Sequence, residues 1–214
     1  MTATKPLRAD AERNRRRILD AARELFAERG VSVGLDEIAH HAGVGVGTAY
    51  RRFPCKSDLI DALFEERVER LVEAAHRGLA EEDPWTGLVI WMETAVELHA
   101  NDLSLKQMIF EQAGGEERVA GVKAKLQPLI AEIVDRAQAS GQLREDVVVT
   151  DLPLFQFMVA SLGQFDAPGL ELWRRGLAVV LDGLRAGSTA PLPGRGLLDT
   201  EFSHAISTSA AHRR

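Results

Sequence analysis

The sequence contains little of what several protein classes require. Its 214 residues include one cysteine, Cys55, so no disulfide can form within the chain. No apolar run approaches the roughly 20 residues of a membrane-spanning helix, and the arginines near the start are not followed by the apolar stretch of a secretory signal. We therefore expect a cytoplasmic protein that does not contact membranes.

Signatures of catalysis and metal binding are also missing. We find no nucleophile with a matching base, no glycine-rich phosphate loop after a strand, and no cluster of histidine, cysteine and carboxylate ligands. The alternating glycines of 43–47 follow no predicted strand and lack the final spacing of a nucleotide-binding loop. His40 and His41 are adjacent and diverge by about a quarter turn on a helix, so they cannot hold one metal ion together. The sequence predicts no enzyme and no cofactor.

What the sequence does have is an uneven distribution of charge. The formal net charge is −6, yet residues 1–56 hold 11 Lys and Arg against 7 Asp and Glu, while residues 57–214 hold 15 against 25. A basic surface attracts the phosphates of a nucleic acid and an acidic one repels them. Any contact with nucleic acid is therefore expected in the first 56 residues.

Residues 34–53 have the pattern of a helix-turn-helix. Ala39 is a small residue where two short helices can approach, and Gly43 supplies the turn. Apolar residues recur at three- and four-residue spacing and are predicted to face inward: Ile38, Ala42, Val44, Val46, Ala49, Tyr50 and Phe53. The outward face of the second helix then holds Gly47, Thr48, Arg51 and Arg52. Such a face brings the backbone close to a DNA groove and lets arginine and hydroxyl groups reach phosphates.

A helix is predicted on either side of this motif. The first begins in an arginine run, and we favour Arg15, Arg16 and Arg17 as an arm that contacts the minor groove or a phosphate rather than as a solubilising helix start. The second begins at Lys56, although a cation at a helix N-terminus is unfavourable. A phosphate held by the ammonium and the backbone N–H groups would explain that lysine.

In order and separation, these motifs resemble the N-terminal domain of the TetR family of transcriptional regulators. The resemblance is carried by residues 18–30, 37–44, 47–53 and 56–59. It implies an all-α fold: an N-terminal three-helix DNA-binding domain with the helix-turn-helix, then a larger helical bundle that dimerises and binds an effector. The resemblance assigns base-facing positions to Val46, Gly47 and Thr48, and phosphate-facing positions to Tyr50, Arg51, Arg52 and Lys56.

Three helix starts depart from that family's pattern. Gly34, Gly45 and Cys55 stand where such proteins often carry Ser, Thr, Asn or Pro, so we expect these starts to be somewhat frayed without a partner. Cys55 is interpreted as a substituted cap residue rather than a redox switch, because the chain has no second cysteine.

The expected organisation has five parts. A flexible arm covers 1–12, the DNA-binding domain covers 13–56, and a long helix over 56–79 joins it to an effector-binding and dimerisation domain over 80–186. The fifth part is a tail over 187–214. Its composition changes to Ser, Thr, Pro, Gly and Ala, which is typical of a disordered segment.

Two late helices, predicted over 151–164 and 170–185, are apolar over more than one face, which favours a dimer interface. The expected contact residues are Phe157, Leu162, Phe165, Trp173, Leu177, Val180 and Leu181. The alternative is that they only fill the core of one protomer. A homodimer also supplies two recognition helices for a pseudo-palindromic double-stranded operator, since one helix reads too few base pairs.

The resemblance further implies an effector pocket. The candidate lining residues are Trp91, Met92, His99, Met108, Phe110, Phe155 and Met158, with His99, Gln107, Gln112 or Gln156 as polar groups that orient the ligand. For each residue taken singly the ordinary core position is the stronger interpretation, because Met and aromatic residues at helical spacing more often fill a core than line a pocket. The middle of the chain lacks a basic cluster beyond Lys123 and Lys125, so we expect a small, mostly apolar effector.

Two functional hypotheses follow. The first is a sequence-specific DNA-binding regulator, a dimeric repressor that its effector releases from the operator. The second is an all-helical small-molecule binding module or enzyme that retains the head as scaffold, and it predicts negligible DNA affinity.

Overall fold

The computed structural model describes residues 4–100, 115–165, 171–187, 190–198 and 200–202. Within these segments eight α-helices account for the fold: α1 (Thr4–Arg29), α2 (Leu35–His41), α3 (Val46–Arg52), α4 (Lys56–Ala80), α5 (Pro84–Ala100), α6 (Gly115–Ala139), α7 (Asp151–Ala160) and α8 (Leu172–Leu184). Short 3-10 helices follow α1 (Gly30–Ser32) and α7 (Ser161–Phe165). The predicted all-α class is confirmed. None of the described helices is long and apolar enough to cross a membrane.

The chain divides into two compact units, and the division falls inside α4, between Arg67 and Val68. The first unit contains α1 to α3 and the beginning of α4. The second contains the rest of α4 and α5 to α8. Residues 56–67 of the joining helix predicted over 56–79 thus belong to the first unit, and residues 68–79 belong to the second.

The core of the first unit is built from one face of each helix. Ile18, Leu19 and Ala22 of α1 are fully buried, as are Ile38 of α2 and Leu59 of α4. Their three- and four-residue spacing places them on a single face of each helix, which explains why amphipathic segments of this length pack together.

The N terminus of this unit differs from the expected flexible arm, because α1 begins at Thr4. Pro6 falls in the first turn of the helix, where the missing N–H has no partner to lose. Asp10 and Arg13, three residues apart, form an ion pair on the helix surface. Helix-favouring alanines and these i,i+3 charges extend α1 through residues predicted to be irregular.

The second unit is organised around α5. Leu88, Met92, Ala95 and Val96 are fully buried and Trp91 is nearly so. A helix that is apolar around most of its circumference requires cover on all sides. The core cluster around it draws on α4, α6, α7 and α8.

Helices α4 and α5 cross at a pair of glycines. A Cβ atom on Gly87 would lie 2.2 Å from the carbonyl oxygen of Gly78, and one on Gly78 would lie 2.5 Å from the carbonyl oxygen of Gly87. At this point the two backbones touch, and any side chain would separate the helices.

The predicted dimer residues lie in different surroundings. Trp173 and Leu177 are 4% and 2% exposed and belong to the core of their own protomer. They therefore offer no surface to a second copy, and the alternative of a monomeric core role applies to both. Val180 and Leu181 are half-buried against the same core, Phe157 and Leu162 are half-buried, and Phe165 is 74% exposed.

Residues 190–198 fall within the predicted disordered tail, and we call them the C-terminal clasp. The clasp lies against the loop between α6 and α7: Nη2 of Arg144 donates to the carbonyl of Ala190 at 2.8 Å, and the N–H of Leu192 donates to Oδ2 of Asp146 at 2.8 Å. The Thr150 hydroxyl donates to the carbonyl of Leu197 at 2.6 Å. The Leu192 side chain packs on the core of the unit. Residues 203–214 of the predicted tail lie outside the described residues.

Candidate nucleic-acid interface

The turn between α2 and α3 depends on Gly43. The N–H of Val44 donates to the carbonyl oxygen of Ala39 at 2.9 Å, and the N–H of Gly43 donates to the carbonyl oxygen of His40 at 3.0 Å. This pair of bonds is a Schellman motif, which needs a left-handed residue at the position of Gly43. Gly43 has φ +61, a conformation that costs glycine nothing. The residue type at the turn therefore follows from its geometry.

The inward face of the motif is smaller than the spacing suggested. Ile38, Ala39 and Ala49 are fully buried, and Phe53 is 4% exposed. Helix α3 has only seven residues and buries Ala49, and Phe53 is buried directly after the helix, at its C-cap.

Two predicted anchors of α3 lie at the surface instead. Val46 is half-buried, and Tyr50 is 44% exposed. Tyr50 follows the buried Ala49 directly and is rotated away from the core by about 100°. The prediction of Tyr50 as a core anchor was wrong, and its ring is available to a ligand.

The exposed side of α3 forms what we call the recognition face, composed of Val46, Gly47, Thr48, Tyr50, Arg51 and Arg52. A Cβ atom on Gly47 would meet nothing within 4 Å, so the backbone there is open to solvent. Nη2 of Arg51 donates to Oγ1 of Thr48 at 3.0 Å, which holds both side chains over one turn. Nη2 of Arg52 lies 3.9 Å from a carboxylate oxygen of Glu12. The face thus presents two guanidinium groups beside an open stretch of backbone.

The Tyr50 hydroxyl is oriented by Asp36 at the start of α2. Its hydrogen bond to the Asp36 carboxylate is the main cause that raises the pKa of Tyr50. The hydroxyl therefore stays protonated at neutral pH and acts as a donor. A DNA phosphate that accepted a hydrogen bond from it would have to compete with the Asp36 carboxylate.

Lys56 is engaged within the first unit. Its ammonium donates to the carbonyl of Val31 and lies 5.6 Å from the centroid of the Phe26 ring. Partial burial lowers the pKa of Lys56. One of three ammonium donors is thus used inside the protein. The phosphate contact assigned to Lys56 remains a prediction.

The start of α4 has a cap that the sequence analysis missed. Oδ2 of Asp58 accepts a hydrogen bond from the backbone N–H of Cys55 and another from its thiol, each at 3.0 Å. These bonds, the thiol bond first, lower the pKa of Asp58. A carboxylate at the third helical position that reaches back to the cap residue is half of a capping box. The spacing Cys55-x-x-Asp58 was the sequence signal for this cap. The two hydrogen bonds to Asp58 fix the start of α4, which is therefore not frayed.

The arginine run of α1 is divided among several contacts. Nη1 of Arg15 donates to Oε1 of Glu66 at 2.7 Å, which joins α1 to α4. Nη2 of Arg17 donates to the carbonyl of Gly43 at 3.3 Å, which places this cation at the turn of the motif. Arg16 is exposed. Arg15 therefore has a structural contact, whereas Arg16 and Arg17 lie at the surface.

The predicted pocket residues differ widely in solvent exposure. Trp91 and Met92 are 2% and 0% exposed, Met158 is 55% exposed, and Phe155 is half-buried. His99 is half-buried, with its ring 4.6 Å from that of Phe157. Met108, Phe110, Gln107 and Gln112 lie outside the described residues. Met158 faces solvent in this protomer and does not line an enclosed pocket.

A helix-turn-helix that presents cations and open backbone, at the basic end of an otherwise acidic helical chain, defines a DNA-binding transcriptional regulator. Comparison with known proteins gives the family. Residues 18–63 match the model of bacterial regulatory proteins of the tetR family, and residues 83–186 match the C-terminal domain of SbtR-like transcriptional regulators. The chain belongs to the TetR family of transcriptional regulators.

Individual relatives agree with this assignment. The TetR transcription regulatory protein from Mycobacterium vanbaalenii is 37% identical with a TM-score of 0.64, over 85% of this chain and 100% of that chain. The HTH-type transcriptional regulator SrpR of Pseudomonas putida is 28% identical over 160 residues, 72% of this chain and 75% of SrpR. FadR from Bacillus subtilis, solved in complex with stearoyl-CoA, shares the fold at 22% identity and a TM-score of 0.64, over 80% of this chain and 98% of that chain. These relatives are regulators, which disfavours the hypothesis of an enzyme or binding module with a vestigial head.

Proposed function

We propose that this protein is a cytoplasmic repressor that binds a pseudo-palindromic operator as a homodimer and leaves it when a small, mostly apolar effector binds. The observation that carries the proposal is the recognition face of α3, where the open backbone of Gly47 lies beside Arg51 and Arg52. Such a surface can enter a major groove with its helix backbone close to the bases, because no side chain at Gly47 keeps it away.

We assign base contacts to Val46, Gly47 and Thr48. Val46 offers an apolar surface suited to a thymine methyl group, and the Thr48 hydroxyl is the one directional group among the three. With so few hydrogen-bonding groups, part of the sequence preference must come from DNA shape and deformability.

Phosphate contacts are assigned to cations and hydroxyl groups around that face. Arg51 and Arg52 extend from α3, Tyr50 offers its protonated hydroxyl, and Arg16 extends from α1. Lys56 has ammonium donors left over after its bond to Val31. These groups carry no sequence information, but they fix the register of the protein on the duplex.

Support for the homodimer comes from apolar side chains left exposed on α7, its 3-10 extension and α8. Met158, Phe165 and Val179 are 55%, 74% and 71% exposed. Large apolar side chains grouped on neighbouring elements are typical of an interaction surface. We assign the interface to this set with Phe157, Leu162, Val180 and Leu181, and without Trp173 and Leu177.

The effector role rests on the family and on one fold neighbour, since FadR from Bacillus subtilis was solved with stearoyl-CoA bound. An effector releases DNA when it binds better to a geometry of the dimer that does not fit the operator. Trp91, Met92, His99 and Phe155 remain our candidates for contact with it.

The test is DNA binding by the purified protein. We would titrate it onto the DNA upstream of its own gene and onto a scrambled duplex of equal length, each at two salt concentrations. A repressor should bind the first duplex selectively, as a dimer, with an affinity that falls steeply as salt rises. Equal and weak binding to both duplexes would contradict the proposal.

Matched variants localise the binding surface. Arg51→Ala and Arg52→Ala should each weaken binding to all duplexes and reduce the salt dependence by about one phosphate contact. Lys125→Ala removes an exposed cation of α6 and should leave binding unchanged. Equal losses in all three variants would indicate nonspecific charge attraction rather than a recognition helix.

A further inference from the structure

Trp91 in α5 is 2% exposed, and its indole Nε1–H has no hydrogen-bond acceptor among the residues that the structure describes. Buried donors in native proteins almost always have a partner, because an unsatisfied N–H loses its bond to water without replacement. A phenylalanine ring would fill apolar space without bringing a hydrogen-bond donor into the core. A tryptophan at this position therefore indicates an acceptor from outside the described core.

A second buried donor comes from α7. Gln156 of α7 is 2% exposed, and its Nε2 donates to Sδ of Met92, the residue after Trp91, at 3.2 Å. A thioether sulfur is a weak acceptor. The core that α5 and α7 share thus contains two donor groups, one without an acceptor and one with a poor acceptor.

The charge of the surroundings limits what the acceptor can be. In the described part of the second unit, the buried residues that carry polar side chains are Thr150 and Gln156, and the buried cation of the described residues, Arg67, belongs to the first unit. Neither Thr150 nor Gln156 is a cation, and a carboxylate or phosphate placed in such a core would lack a counter-charge. A neutral oxygen has no such requirement.

We propose that the effector carries an uncharged oxygen acceptor, such as a ketone carbonyl, which accepts a hydrogen bond from Nε1–H of Trp91, with the Gln156 amide as a second donor. The apolar body of the ligand then contacts the apolar side chains around Trp91. This inference rests on the proposed function in taking the ligand to be the effector, whereas its binding test requires no DNA.

The test compares ligands that differ in one atom group. The probes are 2-alkanones of increasing chain length, each paired with the 2-methyl-1-alkene of the same shape, in which a methylene group replaces the carbonyl oxygen. Binding is followed in protein labelled with ¹⁵N at the tryptophan indoles. Its three signals, from Trp85, Trp91 and Trp173, are assigned with single Trp→Phe variants.

We expect at least one ketone to bind, to shift the Trp91 indole signal as a newly formed hydrogen bond does, and to bind about ten-fold more tightly than its matched alkene. Trp91→Phe should abolish the preference for the ketone and leave alkene affinity nearly unchanged. Trp173→Phe makes the same change elsewhere in this core and should keep the preference. Gln156→Leu should reduce it and serves as the second variant if Trp91→Phe does not fold.

Several results would overturn the inference: no ketone in the series binds, each alkene binds as well as its ketone, or the preference survives Trp91→Phe. A Trp91 signal that already reports a hydrogen bond without ligand and does not move with any ketone would assign the acceptor to a bound water molecule. Operator binding measured on the same samples separates the two proposals. Intact, selective DNA binding without ketone binding removes this inference alone.

Discussion

Replacing Gly87 by alanine should test the crossing of α4 and α5 directly. The new Cβ would lie 2.2 Å from the carbonyl oxygen of Gly78, whereas ordinary contacts of a Cβ atom begin at 3.4 Å. The obstacle is a backbone atom inside a helix and cannot rotate away. The two helices must therefore separate locally, by an amount of about 1 Å, and lose packing on both sides of the crossing.

The magnitude follows from two opposing effects. Inserting a methylene into a well-packed contact costs about 3 kcal/mol at the upper end of the usual range. Alanine returns about 1 kcal/mol through its higher helix propensity. The net loss of about 2 kcal/mol corresponds to a melting temperature lower by about 4–8 °C for a chain of this size.

The assay is thermal unfolding followed by circular dichroism at one fixed protein concentration, because association would otherwise shift the midpoint. Gly121→Ala in α6 is the matched control, since a Cβ there would meet nothing within 4 Å. It should raise the melting temperature by about 1–4 °C through helix propensity alone. If Gly87→Ala melted at or above the unsubstituted protein, the reasoning from this contact would be refuted.

Three further predictions concern the interface and the clasp. Gly47→Ala should preserve the fold yet weaken operator binding about ten-fold or more by keeping the backbone from the groove; unchanged affinity in fluorescence anisotropy would rule out the close approach. Asp58→Ala should lower the free energy of unfolding in urea by about the effect of one lost helix cap. Asp58→Asn should cost less, because it keeps an acceptor for Cys55. Identical urea midpoints for the two variants and the unsubstituted protein would exclude the cap. Hydrogen bonds, first from Arg144, lower the pKa of Asp146 to about 2 from its usual 3.8. Because the folded value is the lower one, this contact stabilises above about pH 4 and is lost as the pH falls towards 2. A Leu192 amide signal that titrates near pH 4 would contradict it.

The helix-turn-helix was predictable because its determinants are local. Apolar spacing, a small residue at Ala39 and a glycine at Gly43 each follow from geometry within about twenty residues. The burial of α3 was less predictable, since the spacing alone did not show that a seven-residue helix buries Ala49 and is followed by a buried Phe53, but leaves Tyr50 exposed.

Contacts distant in sequence were not predictable in the same way. An apolar stripe on α8 is compatible with a partner or with the protomer's own core, and only the packing places Trp173 and Leu177 inside. The contact between Lys56 and the Val31 carbonyl requires the fold to bring residues 25 apart together. The clasp contains few large apolar residues, and it is held by polar groups such as Arg144 that composition cannot link to it.

The clasp also changes where the C-terminal domain ends. The family model stops at residue 186, whereas Leu192 contributes to the core and Leu197 accepts a bond from Thr150. A chain cut after residue 186 would lose the apolar contact of Leu192 with the core and the three hydrogen bonds that join the clasp to Arg144, Asp146 and Thr150. The clasp is thus a cover for the core that the same chain supplies.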